Sequence, residues 1–209
     1  MNTERKVAQA LLKIGAVKSV IDNPITFKSG IISPIYVDNR EFPYYPEQWK
    51  IVIEGFKSVI EEKNISYDII AGVAIAGIPH SAALGFAVGK PSVFIRKEVK
   101  DHGSQKRVDG GEVRGKKVLL IEDLVSLGGS SLSAAQALRD EGAIVNDCLV
   151  IVSYDFAVAG EAFKKANVNL HTLTSFPIIL EEAVNLKIFR EEEIAKFKEW
   201  FASPYNWGK

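Results

Sequence analysis

Apolar residues recur along this chain in two patterns, one with helical spacing and one in short continuous runs. Helical spacing over residues 7–14 predicts an amphipathic helix that opens the chain, and a similar pattern predicts a second helix over residues 47–63. Short extended segments are predicted at residues 25–27 and 35–38. The first third of the chain therefore mixes helices with short strands.

The pattern changes from residue 68 onward, where apolar runs alternate with helical stretches. Four buried strands are predicted, at residues 68–73, 92–95, 117–121 and 146–153. Strands that alternate with helices predict an α/β fold with a parallel sheet flanked by helices. Aromatic and aliphatic residues after residue 179 predict one or two further helices and an aromatic tail that packs on the body.

Three loops should lie at one edge of this sheet, because each follows a predicted parallel strand. They are residues 73–78, 97–115 and 122–131. The second is long, rich in glycine and nearly free of apolar residues, which is typical of a functional lid or of disorder. Five basic residues and two acidic ones lie between Arg96 and Arg107, so a solvated charge run is the alternative.

Residues 118–131 carry the clearest chemical pattern of the chain. An apolar strand leads through Glu122 and Asp123 into a turn of glycine and serine, and a good helix-forming segment follows. Free backbone N–H groups and the positive end of the helix dipole meet in such a turn, and Gly128 and Gly129 let an anion approach closely. The two carboxylates suit sugar hydroxyls or a site near Mg²⁺. A tight strand-to-helix turn with a capping serine is the structural alternative.

Composition excludes several classes of partner. The 209 residues include 26 acidic and 26 basic ones, so no global field favours nucleic acid or an anionic membrane, and neither is expected as a partner. The single cysteine, Cys148, lies in an apolar run and is interpreted as a core residue, which suits a reducing compartment. With no apolar stretch of secretory or membrane-spanning type, the chain is expected to be one domain in the cytoplasm.

Three ordered segments carry a family resemblance. Residues 118–131 resemble the 5-phosphoribosyl-1-diphosphate (PRPP) binding motif of type I phosphoribosyltransferases, with Ser126 where threonine is usual. Residues 94–103 resemble the Arg-Lys-x-x-Lys-x-His-Gly loop of the orotate phosphoribosyltransferase family, and residues 27–36 resemble its Lys-Ser-Gly-x-x-Ser-Pro-x-Tyr/Phe segment. The resemblance implies a core at about residues 46–209 with a small N-terminal hood at about residues 1–45.

The resemblance also implies an activity and a set of site residues. The expected reaction transfers a phosphoribosyl group from PRPP to orotate with Mg²⁺ in pyrimidine biosynthesis, in a homodimer with shared sites. Lys100, His102 and Asp123 are the expected catalytic residues, and the metal is held mainly by PRPP and water. The PRPP contacts expected by resemblance are Arg96, Lys97, Lys100, His102, Glu122, Asp123, Leu124, Val125, Ser126, Leu127, Gly128, Gly129 and Ser130. Those expected for orotate are Lys28, Ile35, Tyr36 and Ser126.

Two departures from the family pattern leave the acceptor open. Ala76 stands where some relatives have lysine for pyrophosphate, and residues 152–156 lack the arginine that some relatives use for orotate. A phosphoribosyltransferase for another nucleobase is therefore one alternative. A regulator that senses PRPP without turnover is the other, although the lack of net charge argues against a DNA-binding or RNA-binding role.

Overall fold

The computed structural model describes residues 2–27, 29–98 and 106–208. The helices of these residues are α1 (Thr3–Lys13), α2 (Pro46–Glu62), α3 (Gly77–Val88), α4 (Gly129–Asp140), α5 (Ala157–Lys165), α6 (Phe176–Asn185) and α7 (Glu191–Ala202), with a 3-10 helix at Asn39–Tyr44. The strands are β1 (Val17–Ser19), β2 (Ile25–Thr26), β3 (Ile32–Ser33), β4 (Ile35–Val37), β5 (Ile69–Val73), β6 (Ser92–Ile95), β7 (Val108–Asp109), β8 (Lys117–Val125), β9 (Ile144–Ser153) and β10 (Asn169–Ser175).

Six of these strands form the central sheet, in the order β10-β9-β8-β5-β6-β7. Every neighbouring pair is parallel except β6 and β7, which are antiparallel. The predicted α/β fold with a mostly parallel sheet is therefore confirmed. The chain runs outward from β5 to β6 on one side and from β8 to β10 on the other, so the strand order reverses between β5 and β8. Ligands bind at such reversal points in open α/β sheets.

Hydrophobic layers cover both faces of this sheet. Leu119 and Ile121 of β8 belong to a cluster that includes residues of α1, α2, α6 and α7, whereas Val118 and Leu120 belong to a cluster with α4 and α5. Adjacent β8 residues thus enter opposite layers, as the two-residue period of a strand requires. Cys148 is fully buried in the second cluster, as predicted.

Strand ends differ most from the sequence-based boundaries. The predicted end of β8 at Ile121 is wrong, because β9 runs beside it far enough to pair Val125 with Ser153. β10 was not predicted at all. Its sequence, Asn-Leu-His-Thr-Leu-Thr-Ser, is polar because it lies at one edge of the sheet and is half-buried over its first part.

The N-terminal segment divides between the body and the hood. Helix α1 packs against α2, α6 and β10, while β1 pairs with β4 and β2 with β3 in two small antiparallel sheets. The indole of Trp200 in α7 is buried and donates a hydrogen bond of 2.8 Å to the carbonyl of Ile32. The C-terminal aromatic residues thus connect the hood to the body. Within the described ranges, no helix is both long and apolar enough to cross a membrane.

Candidate active site

The pairing of β5 with β8 ends at Gly72 and Ile121, and this reversal point of the sheet is called the crevice, because open α/β sheets bind ligands there. The start of α3 packs closely against β8 here, since a Cβ atom on Gly77 would lie 2.6 Å from the backbone oxygen of Ile121. A Cβ atom on Gly72 would lie 2.8 Å from the backbone oxygen of Gly77. Both positions require glycine because any side chain would displace backbone atoms. The close packing brings the loop after β5 beside the end of β8.

The turn after β8 forms the second wall of the crevice. Gly128 has φ +82°, and a Cβ atom there would lie 2.5 Å from Cε2 of Phe163 in α5. A Cβ atom on Gly129 would meet nothing within 4 Å, so the first turn of α4 is open on that side. No side chain caps this helix start within the described residues. The first N–H groups of α4 are therefore available to an anion, as the sequence predicted.

The side chain of Glu122 holds this turn through hydrogen bonds from its serine hydroxyls. Its Oε2 accepts hydrogen bonds from the hydroxyls of Ser130, at 3.1 Å, and Ser131, at 3.2 Å, and its Oε1 accepts from the N–H of Asp123 at 3.2 Å. Only 4% of the residue is exposed. Burial, and then the charge of Asp123, raise the pKa of Glu122 well above its usual value.

These contacts give Glu122 a structural role, and its expected contact with ribose hydroxyls stays a prediction from the resemblance. Since β8 continues to Val125, Glu122 lies within the sheet and both of its oxygens are used inside the chain. Val125 is likewise 1% exposed, so its side chain cannot contact PRPP. The structure assigns Glu122 to holding the start of α4 against β8.

Asp123 is the more open member of the acidic pair. Burial raises the pKa of its carboxyl group, whereas a hydrogen bond with Glu122 and the positive charge of Arg40 lower it. Because Glu122 is the more deeply buried member, a negative charge on the pair is better accommodated at Asp123. Asp123 therefore presents its carboxyl group at the end of β8, beside the anion-binding turn.

Asn39 fixes the main chain at this carboxylate. It is fully buried, and its Nδ2 donates a hydrogen bond of 3.0 Å to the carbonyl oxygen of Asp123. That carbonyl lies beyond the last residue of β8 that pairs with β5, so Asn39 supplies a partner where the neighbouring strand has ended. Its Oδ1 has no hydrogen-bond partner among the described residues.

A buried histidine packs behind Asn39. His80 in α3 is 0% exposed, and its Nδ1 accepts a hydrogen bond of 2.9 Å from the indole N–H of Trp49 in α2. Burial lowers the pKa of His80 to about 4, so the ring is neutral near pH 7. Since Nδ1 is an acceptor, the proton of the neutral ring lies on Nε2. His80 thereby joins α2 to α3 directly under the crevice.

The hood places a polar cluster over the other side of Asp123. Arg40 forms an ion pair with Asp38 and donates a hydrogen bond of 2.6 Å to the hydroxyl of Tyr36. The expected role of Ile35 is not supported, because this side chain is 1% exposed and belongs to the hydrophobic core. Alternation along β4 explains the difference: Ile35 points inward and the half-buried Tyr36 points outward.

The long loop leaves the sheet through a short antiparallel stem. Arg96 lies at its start, where its Nε is 2.7 Å from Oδ2 of Asp109 and its Nη2 donates to the carbonyl of Lys106. The N–H of Arg96 also bonds to the carbonyl of Arg107 at 2.9 Å. The side chain of Lys97 is 69% exposed. In this structure Arg96 closes the base of the loop, whereas the exposed Lys97 lies 3.9 Å from Oε1 of Glu98.

Three expected site residues lie outside the described part of the chain. They are Lys28 in the hood and Lys100 and His102 in the long loop. Their assigned roles therefore stay predictions from the resemblance.

Comparison with known proteins agrees with this geometry. A model of the phosphoribosyl transferase domain matches residues 45–167. Orotate phosphoribosyltransferase of Coxiella burnetii is 41% identical over 207 residues, which cover 99% of each chain. The chain belongs to the orotate phosphoribosyltransferase family.

Solved structures show the same fold. Orotate phosphoribosyltransferase from Aeropyrum pernix superposes with a TM-score of 0.74 at 27% identity, covering 85% of this chain and 98% of that one. UMP synthase of Leishmania donovani gives a TM-score of 0.84 at 25% identity over 95% of this chain. This chain spans 42% of that longer protein.

The structure of this family member brings together part of the predicted site and adds three residues that were not predicted from the sequence. Asp123 and the turn before α4 meet at the crevice. Asn39, Arg40 and His80 were missed. A signal for the first two was present, since Asp38-Asn39-Arg40 is a polar run between an apolar strand and an apolar helix. No local signal marks His80, because its partner Trp49 is 31 residues away.

Proposed function

We propose that this chain transfers the 5-phosphoribosyl group of PRPP to orotate, forming orotidine 5′-monophosphate and pyrophosphate in pyrimidine biosynthesis. Its membership of the orotate phosphoribosyltransferases supports the substrates. The observation that carries the proposal is the joint placement of the Asp123 carboxyl group and an uncapped helix start at the end of a single strand. A sugar phosphate has the matching arrangement of hydroxyls and phosphate.

The reaction breaks the bond between the ribose C1 and pyrophosphate and forms a bond from C1 to a base nitrogen. Positive charge develops on the sugar as pyrophosphate leaves, so the enzyme must hold the sugar still and exclude water. The turn at residues 126–130 would bind the 5′-phosphate through N–H groups, and Asp123 would accept hydrogen bonds from the ribose hydroxyls. Glu122 would keep the turn in place through Ser130 and Ser131.

The departing pyrophosphate has two neighbours in this arrangement. The loop at residues 74–76 leads into α3, whose helix start has no side-chain cap, and the long loop at residues 97–106 leaves the adjacent strand. Lys100 and His102, by resemblance, would meet the charge that grows on the leaving group. Lys97 would add to this positive charge from the base of the loop. The hood at about residues 1–45, with Lys28 and Tyr36, would cover the base.

We infer that Mg²⁺ enters with PRPP and is held mainly by its phosphate and sugar oxygens and by water. No group of three or more metal-ligating side chains occurs among the described residues. A magnesium ion that travels with a diphosphate needs only one or two protein carboxylates, so Asp123 alone would be enough to hold it. Its contribution is to neutralise charge on the departing pyrophosphate.

We also infer a homodimer with shared active sites. Three large apolar side chains are mostly exposed: Tyr44 at the end of the 3-10 helix at 83%, Ile75 in the loop before α3 at 83%, and Phe86 in the last turn of α3 at 92%. A helix that is apolar on its outer side as well as its inner side is normally covered. Ile75 belongs to the loop beside the crevice, so a second copy seated here would lie next to the active site.

Mixed dimers test the sharing directly. Chains with Lys100→Ala and chains with Asp123→Asn are each expected to be nearly inactive. Mixing them should restore activity, because one of the two sites in a mixed dimer then contains both native residues. Light scattering on the same samples reports the oligomeric state. Verified mixed dimers without recovered activity would show that each site is built from one chain.

The absorbance of orotate tests the reaction itself. Purified protein, PRPP and Mg²⁺ should consume orotate and release pyrophosphate, while adenine, hypoxanthine and uracil assayed in parallel should remain unchanged. Turnover of a different base would move the chain to another specificity within the phosphoribosyltransferases. Binding of PRPP without turnover of any base would instead support a sensing role.

A further inference from the structure

The hood cluster of Tyr36, Asp38 and Arg40 has a geometry that the reaction described so far does not use. Arg40 donates from Nε to Oδ1 of Asp38 at 2.6 Å and from Nη2 to Oδ2 of Asp38 at 2.7 Å. A second hydrogen bond from Nη2 reaches the hydroxyl of Tyr36 at 2.6 Å. The Asp38 side chain is only 15% exposed, so it forms a firm base for the guanidinium. Arg40 is thus held in one orientation before any ligand binds.

The cluster keeps hydrogen-bond donors free on its outer side. Among the described residues no hydrogen bond uses Nη1 of Arg40, which carries two N–H groups, and 58% of this side chain is exposed. The hydroxyl of Tyr36 accepts from Arg40, so its own proton is available for donation. Burial, together with the charge of Asp38, raises the pKa of Tyr36, which keeps that proton in place. Two neighbouring donors therefore face outward, one of them charged.

The hydrogen bond from Asn39, the residue before Arg40, to the carbonyl of Asp123 places these donors near the acidic pair. The charge of Arg40 lowers the pKa of Asp123, and the charge of Asp123 raises those of Arg40 and Tyr36. Asn39 lies between Asp38 and Arg40 in the sequence, so its hydrogen bond to Asp123 fixes the backbone of the cluster itself. If Asp123 holds the ribose, as the proposed function has it, a base joined to the sugar C1 lies within reach of the hood.

We propose that Arg40 and Tyr36 bind the carboxylate of orotate, which makes Arg40 a specificity-determining residue for the acceptor base. This inference rests on the proposed function. One carboxylate oxygen would accept from Nη1 of Arg40 and the other from the hydroxyl of Tyr36. Arginine suits this task because its planar guanidinium presents several donors in a fixed geometry.

Charge balance favours a carboxylate over a phosphate at this position. Asp38 already neutralises Arg40, and Asp123 lies close enough to act on it. A dianionic phosphate would therefore bring two negative charges next to two carboxylates and only one cation. The carboxylate of orotate brings one negative charge, and its two oxygens match the two donors. The uncapped start of α4 is the better phosphate site.

Kinetics of Arg40→Gln and Tyr36→Phe test the proposal. Loss of a hydrogen bond to a charged group predicts a rise in KM for orotate of about 10- to 100-fold for Arg40→Gln and a smaller rise for Tyr36→Phe. KM for PRPP should change less than about twofold in both variants, because no phosphate contact is removed. Arg40→Lys should restore only part of the affinity for orotate, since an ammonium group keeps the positive charge but lacks the planar set of N–H donors of a guanidinium.

A neutral analogue separates recognition of the carboxylate from general damage to the site. Orotamide, the amide of orotate, should inhibit the native protein and Arg40→Gln with similar inhibition constants. Arg114→Gln serves as the matched control, because Arg114 is exposed and lies just before β8 starts, at the opposite edge of the sheet. This control should have the same KM for orotate, the same KM for PRPP and the same inhibition constant for orotamide as the native protein.

Three outcomes decide the matter. A selective rise in KM for orotate supports the proposal. An unchanged KM for orotate in Arg40→Gln, or equal weakening of orotate and orotamide, overturns it while leaving the reaction intact. Failure of the native protein to turn over orotate removes the proposed function itself, which the native protein reveals before any variant is compared.

Discussion

Replacement of Gly128 by alanine should destabilise the protein through two separable effects. Gly128 has φ +82°, a conformation that costs an L-residue about 1–2 kcal/mol. The new Cβ would also lie 2.5 Å from Cε2 of Phe163, whose ring is 2% exposed and cannot move into solvent. Overpacking of this kind costs about 1–3 kcal/mol. The sum predicts a loss of about 2–5 kcal/mol in the free energy of unfolding.

Urea unfolding measures this loss, and the neighbouring glycine provides the control. A Cβ on Gly129 meets nothing within 4 Å, and this residue already has helical geometry, so Gly129→Ala should stay within about 0.5 kcal/mol of the native protein. All proteins are compared at one concentration, because association changes apparent stability. Phosphate is left out of the buffer, since an anion bound at the turn would stabilise the folded state.

A double-mutant cycle with Phe163→Leu separates the two effects. The smaller side chain should remove the contact with the new Cβ but leave the backbone strain, so Gly128→Ala should cost about 1–2 kcal/mol in that background. Gly128→Ala as stable as Gly129→Ala would refute the reasoning outright. An equal cost of Gly128→Ala with and without Phe163 would show that packing against the ring is not involved.

Three further predictions concern the support of the acidic pair. Asp123→Asn should reduce kcat by about 100-fold or more. The urea midpoint should stay at or above the native value, because the substitution removes a buried ionisable group. A parallel loss of stability would contradict a catalytic role. Asn39→Ala should cost about 1–3 kcal/mol in urea unfolding by leaving the Asp123 carbonyl buried without a partner, whereas a change below about 0.5 kcal/mol would contradict that contact. His80 has a pKa lowered to about 4 from 6.5, so the unfolded chain binds more protons between these values and stability should fall by up to about 3 kcal/mol as the pH drops through this window. His80→Gln should lose this part of the pH dependence, and an unchanged slope would exclude His80 as its source.

Local patterns predicted most of the architecture. The alternation of apolar runs with helical segments was enough to place β5, β6 and the start of β8, because strands buried on both faces are apolar throughout. β10 escaped detection since its position at the sheet edge allows polar residues. The end of β8 was misplaced because a strand continues wherever its neighbour offers backbone partners, whatever its side chains.

The candidate site divides in the same way. The acidic pair and the glycine turn are contiguous in the chain, so their chemistry could be predicted from residues 118–131 alone. The structural role of Glu122 could not, because it depends on which carboxyl group is buried deeper and on the hydroxyls of Ser130 and Ser131.

The sequence by itself determined the fold class, the position of the phosphate turn and the family, since each depends on residues that are neighbours along the chain. Only the tertiary structure decided which side chains surround Asp123. Asn39 reaches its carbonyl across 84 residues, and Arg40 acts on its carboxylate from the hood. Such contacts arise because the order of strands in the sheet brings distant segments to one crevice, and that order is set by packing of the whole chain.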